Sequence, residues 1–136
     1  METIYRIIEF VKSKVDGLDV KIIESDMFAY IYETDEIFIT EEYDDVDIAW
    51  EVFMVGYLKD EFDLKITANE MTVYSILHEI GHYKTKIMID VDKYIEEISE
   101  IPEGDFLQYR KCFAEYVADD WAVAFINEFP EVLKIK

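Results

Sequence analysis

The chain has 136 residues, 51% of them hydrophobic and 15% aromatic, which excludes a disordered or fibrous polypeptide. Its 32 acidic residues against 13 basic leave a formal net charge of −19, a surface that repels phosphate backbones and anionic lipid. Nucleic acid and membrane partners are therefore disfavoured, and residues 1–136 read as one globular domain around a single core.

Ile4, Ile7, Ile8, Val11 and Val15 recur at helical spacing and predict an amphipathic helix over 3–15, stopped by Gly17. Three segments rich in Ile, Val, Tyr or Phe follow, at 19–24, 27–33 and 36–40. Ser25-Asp26 and Thr34-Asp35 supply turn chemistry between them, so a three-stranded sheet is expected. The acidic run at Glu41-Glu42 and Asp44-Asp45-Asp47 reads as a solvated turn, because it lacks the ligand spacing and the glycine of a calcium loop. Asp44 or Asp45 then caps a helix to about residue 60, with Ala49, Val52, Phe53, Gly56 and Tyr57 on one face.

Thr67-Ala-Asn-Glu70 matches the capping-box pattern, and the proline-free stretch after it reads as a long helix to about Lys86. A shorter helix is expected over 91–100, before Pro102 and Gly104 break the chain. Asp105 opens a third long helix, predicted to run without interruption to about Glu128 and to end before Pro130. Helix, strands, then helices make an α+β domain.

The N-terminus starts acidic, with neither a basic region nor a small-residue cleavage site, and no run of roughly 18 apolar residues occurs. Cys112 is the only cysteine, which suits a reducing compartment, and the cytoplasm is the expected location.

Chemistry concentrates in His78-Glu79-Ile80-Gly81-His82, an HExxH pattern inside a predicted helix. Residues four apart on a helix stand one above the other, their Cβ atoms about 5–6 Å apart, so two imidazoles can reach one zinc ion. Glu79 leaves the helix roughly 100° round from His78, beside the metal's open position and suited to take a proton from water there. Both histidines of the chain lie in this motif, so a third protein ligand must be another residue type. Glu115 is the candidate. Phe113, Ala114, Val117, Ala118, Trp121 and Ala122 surround it in sequence, and a carboxylate in such a setting is costly unless a cation compensates. Asp119, four residues on, falls on the same helical face and suits the role of accepting a histidine N–H. Cys112 reads as core packing. Two histidines and a carboxylate favour Zn²⁺, although iron and manganese accept the same donors.

His78-Glu-Ile-Gly-His82, followed by Glu115-Tyr-Val-Ala118-Asp119-Asp-Trp121-Ala122, resembles the ImmA/IrrE-type family of gluzincin metallopeptidases. Glu115, Ala118, Asp119, Trp121 and Ala122 match that family's downstream helix in order, while Val117 replaces a frequent second acidic residue. The resemblance implies that Glu115 is the third zinc ligand, that Asp119 supports a histidine, and that the fold is a minimal zincin. It also implies hydrolysis of peptide bonds, with Glu79 as general base. By the same likeness the segment 36–40 is an edge strand that binds extended substrate. A downstream His or Tyr often stabilises the oxyanion in gluzincins. No histidine follows His82, which leaves Tyr83, Tyr109, Arg110 and Tyr116 as candidates.

Two rival functions remain at this level. One is a non-catalytic zinc-stabilised interaction module, its cleft blocked for example by the segment 130–136. Glu79 argues against it, since a structural site needs no general base. The other is an acidic decoy, which predicts a metal-free fold indifferent to loss of either histidine.

Overall fold

A computed structural model describes residues 1–41 and 45–136, with side chains described again from residue 48. Of the expected acidic turn, residues 42–44 and the side chains of 45–47 lie outside the described residues, as does the side-chain cap at Asp44 or Asp45, while the backbone of 45–47 is already helical. The first helix, α1 (Glu2–Lys14), buries Ile4, Ile7, Ile8 and Val11 of the periodic set, while Val15 is the half-buried C-cap just past its end. Gly17 follows with φ +73°, a left-handed turn that glycine adopts without steric cost.

Strands β1 (Lys21–Glu24), β2 (Ala29–Ile31) and β3 (Glu36–Ile39) form one mixed sheet in the order β1-β3-β2. β1 runs parallel to β3, with Ile22 opposite Ile37, and β2 runs antiparallel to it, with Tyr30 opposite Ile37. The strand over 36–40 is therefore central, and the expectation that it forms a substrate-binding edge is overturned. The reason is burial. Ile37 and Ile39 are both fully enclosed, whereas the side chains of β1 stay half-exposed or exposed and belong at an edge. The β2–β3 turn is held by Asp35, which accepts a hydrogen bond from Tyr30 and pairs with Lys86 Nζ at 2.9 Å.

α2 (Asp45–Phe62) buries Met54, Tyr57 and Leu58. Its buried face is rotated from the expected one: Val52 is 72% exposed, and Ala49 and Gly56 also face solvent. Apolar residues occur nearly all round this helix, so periodicity alone cannot choose the buried side. A 3-10 turn over Ala68–Glu70 leads into α3 (Met71–Thr85), and the predicted capping box forms, with Thr67 N–H donating to Glu70 Oε1 at 2.9 Å.

α4 (Val91–Ser99) begins at Asp90, whose side chain accepts from the Lys93 amide, and none of its residues is buried. The long helix expected from 105 to 128 is two helices, α5 (Phe106–Lys111) and α6 (Phe113–Glu128), broken at Cys112, which has ψ 136°. The C-terminal turn Pro130–Lys134 buries Val132 in the core, and Arg6 donates to the Lys136 carbonyl at 2.6 Å. That segment packs beside α1 and the end of α6.

Among the described residues the fold is α+β, with six helices and one small sheet. No described helix is long and apolar enough to cross a membrane. α3 lies at the centre and packs along α6, which positions the site.

Candidate metal centre

α3 is enclosed along most of its length, with Tyr74, Ile76, Leu77 and Ile80 fully buried. His78 and His82 project from one face of it, and their rings stand edge to face with centroids 4.6 Å apart. Gly81, between them, is where α6 comes closest. A Cβ added there would lie 2.6 Å from the Ala118 carbonyl oxygen, so only glycine admits this approach. Ala118 and Ala122 are fully buried, and their small side chains let the two helices close.

That closeness delivers Glu115. Its Oε2 lies 2.7 Å from His82 Nε2 and 3.5 Å from His78 Nε2, and all three residues are buried. Apart from the two histidines, Glu115 Oε2 has no hydrogen-bond partner among the described residues. One ligand atom from each of His78, His82 and Glu115 lies within 4.8 Å of the others, and the group can hold a metal ion. Two imidazole nitrogens and an otherwise unpartnered carboxylate oxygen are a donor set that fits a divalent ion of the zinc class. Without an ion the carboxylates draw a proton instead. Burial opposes charge on His78, but Glu115 and Asp119 outweigh it and push the imidazole up to about 10. Burial would raise the Glu115 carboxyl, yet His82 and His78 hold it well below the usual range.

Glu79 stands beside this group and not within it, its Oε1 4.0 Å from His78 Nε2. Burial raises its carboxyl above the ordinary value, against the opposing pull of His78 and His82. Asp119 is fully buried, with Oδ1 2.8 Å from His78 Nδ1, and it accepts a hydrogen bond from the Tyr74 hydroxyl. The five residues singled out in the sequence thus surround one point.

Several contributors were not legible beforehand. Arg110, a candidate oxyanion donor in the sequence, is 3% exposed and turned inward. Its Nη2 donates to Glu115 Oε1 at 3.0 Å, and its Nε lies 3.5 Å from Asp119 Oδ2. The break at Cys112 makes this reach available. In one continuous helix, residues nine apart such as 110 and 119 would face opposite sides. Arg110 is therefore a positioning residue that directs Glu115 Oε2 toward the histidines. Cys112 is buried at the break, and burial pushes its thiol up, consistent with packing.

Tyr32, just beyond β2, places its hydroxyl 2.8 Å from His82 Nδ1. A histidine that ligates through Nε2 carries its N–H on Nδ1, which Tyr32 then accepts. Tyr94 of α4 lies over the site, its ring centroid 6.5 Å from that of His82 and 5.9 Å from that of Tyr32. Its hydroxyl is 3.3 Å from that of Tyr109. Burial first, then Glu115, raises all three phenols above their ordinary value, so they remain protonated. Of the other expected oxyanion donors, Tyr83 donates toward the Gly17 and Asp19 carbonyls, and Tyr116 packs on Phe62 at the surface. Tyr109 alone among the four keeps its hydroxyl by the centre. Tyr74 had a readable signal, since it precedes His78 by one helical turn. Tyr32 and Tyr94 had none.

A scan against protein-family models finds no match, and searches of curated proteins and of solved structures find none either.

Proposed function

We propose that the chain is a zinc-dependent metallopeptidase, similar to the ImmA/IrrE-type gluzincins with a zincin-like fold, acting on peptides or proteins in the cytoplasm. The observation that carries this reading is the convergence of Glu115 Oε2 on the two histidine Nε2 atoms, with the Glu79 carboxylate alongside and outside the group. A zinc ion held by His78, His82 and Glu115 would supply Lewis acidity, polarising the scissile carbonyl and making a water acidic near pH 7.

The protein's own residues do the rest. Glu79, its basicity raised by burial, takes the proton of the attacking water and hands it to the leaving amine. Asp119 and Tyr32 orient His78 and His82 through their Nδ1 atoms. Arg110 pairs with Glu115 and Asp119 and keeps Glu115 aimed. The Tyr109 hydroxyl is the candidate donor to the developing oxyanion, because it is protonated and adjacent.

The decisive experiment pairs metal analysis with a peptidase assay on Glu79→Gln. This variant keeps stoichiometric zinc and loses about 10²–10⁴-fold in cleavage rate, the contribution of a positioned base. Cleavage at the wild-type rate would refute the mechanism. A structural zinc module would bind the metal equally well in both forms and cleave in neither.

A further inference from the structure

Among the described residues ten large apolar side chains are exposed, and four of them, Ile87, Met88, Ile95 and Phe113, border or belong to the stretch that carries α4. Two grooves flank that helix. One, about 320 Å³, is lined by Trp50, Ile98, Ile101, Phe106 and Tyr109 among others. The second, about 250 Å³, is lined by Met88, Tyr94 and Phe113 together with Asp90 and Glu97. These volumes lie near the lower end of the range for ligand sites, about 300 Å³, and leave room for large amino-acid side chains. Tyr94 lines one groove and Tyr109 the other, their hydroxyls are 3.3 Å apart, and the Tyr94 ring stands 6.5 Å from that of His82, so the grooves share wall residues with the surroundings of the candidate metal centre.

Charge narrows the occupant. From Asp90 to Asp105 the chain carries seven acidic residues and one basic residue, Lys93. Asp90 and Glu97 line one groove beside Lys93, and Glu103 lines the other, whose Arg110 is buried and already paired with Glu115 and Asp119. A second copy of this chain, itself of net charge −19, is repelled, as are nucleic acid and anionic lipid. Apolar grooves with an acidic rim match a polypeptide that alternates large apolar residues with lysine or arginine.

The geometry points to the α4 face as the substrate-docking surface of this protein, selective for cationic, apolar-rich polypeptide segments whose large side chains enter the two grooves. As an assignment of substrate class, it rests on the peptidase reading. Its test is chosen to stand apart from cleavage. The Glu79→Gln protein is titrated with a fluorescein-labelled synthetic peptide alternating Lys with Phe and Leu, followed by fluorescence anisotropy. Two further peptides carry Glu for every Lys, or Ser for every Phe and Leu.

The Lys-Phe-Leu peptide binds and both others bind far more weakly. Glu97→Lys with Glu103→Lys weakens binding about tenfold, because a few exposed attractive charge pairs turn repulsive. Glu128→Lys with Glu131→Lys, an equal charge change at the far end of α6, leaves binding near the starting value. Phe113→Ser also weakens it, with the far-ultraviolet circular dichroism unchanged. The assignment is overturned if the three peptides bind alike, if none binds, or if the distant pair weakens binding as much as the groove pair. Binding as expected, with no cleavage by wild type, would refute the peptidase reading and leave the docking surface standing.

Discussion

Replacing Gly81 by Ala tests the helix approach on which the site depends. The added Cβ would lie 2.6 Å from the Ala118 carbonyl oxygen, 3.2 Å from its Cα and 3.3 Å from its carbonyl carbon. Ordinary contact begins at 3.4 Å, so the nearest distance falls 0.8 Å short (3.4 − 2.6), and the obstruction is backbone that cannot swing aside. Overpacking of this kind costs about 1–3 kcal/mol, and the better helix propensity of Ala offsets about 1 kcal/mol of it. Because the neighbour is rigid, a net loss of about 1–2 kcal/mol is expected, seen as a fall in Tm of roughly 3–10 °C by circular dichroism. α6 must shift away from α3 and takes Glu115 and Asp119 with it. Metal affinity, measured by competition with a chromophoric chelator, should then fall about 10–100-fold, the usual effect of removing the groups that orient a metal ligand. A variant as stable as wild type that binds metal equally well would refute the argument.

Three further outcomes follow from the same geometry. Arg110→Leu removes the buried cation between Glu115 and Asp119 and should destabilise the metal-free protein by about 3–5 kcal/mol in urea unfolding, with added zinc restoring part of the loss. A hundredfold excess of zinc over its Kd should raise wild-type stability by about 2.7 kcal/mol and leave His78→Ala unmoved in a thermal scan. Asp35 is held below the ordinary carboxylate value by the Tyr30 hydrogen bond and then by Lys86. Its contribution is therefore present above the unfolded-state pKa and lost as pH falls through the lower folded one. Lys86→Met should flatten the acid side of the stability–pH curve, while loss of stability in that variant confined to neutral pH and above would contradict the sign.

The first helix, the capping box at Thr67, the helix that carries HExxH, and the shared faces of His78 with His82 and of Glu115 with Asp119 were legible because each rests on local spacing. A histidine four residues from another shares its face in any helix, and a carboxylate four residues from another does likewise. What the chain order could not reveal depends on partners distant in sequence. β3 takes the centre of the sheet because Ile37 and Ile39 find full burial there, which no alternation within 36–40 distinguishes from an edge. The buried face of α2 was open to error for a similar reason, since its apolar residues leave no single stripe.

Sequence by itself determined which donor types exist, their helical register and a strongly acidic charge balance. Only the tertiary structure decided their coordination into a site. It breaks the last helix at Cys112 so that Arg110 turns back onto Glu115, and it brings Tyr32 from the sheet to His82. It also lays Tyr94 above the centre. Periodicity reports which side of a helix is apolar, whereas the partner that side meets, and any interruption that redirects it, are set by packing between segments far apart in the chain.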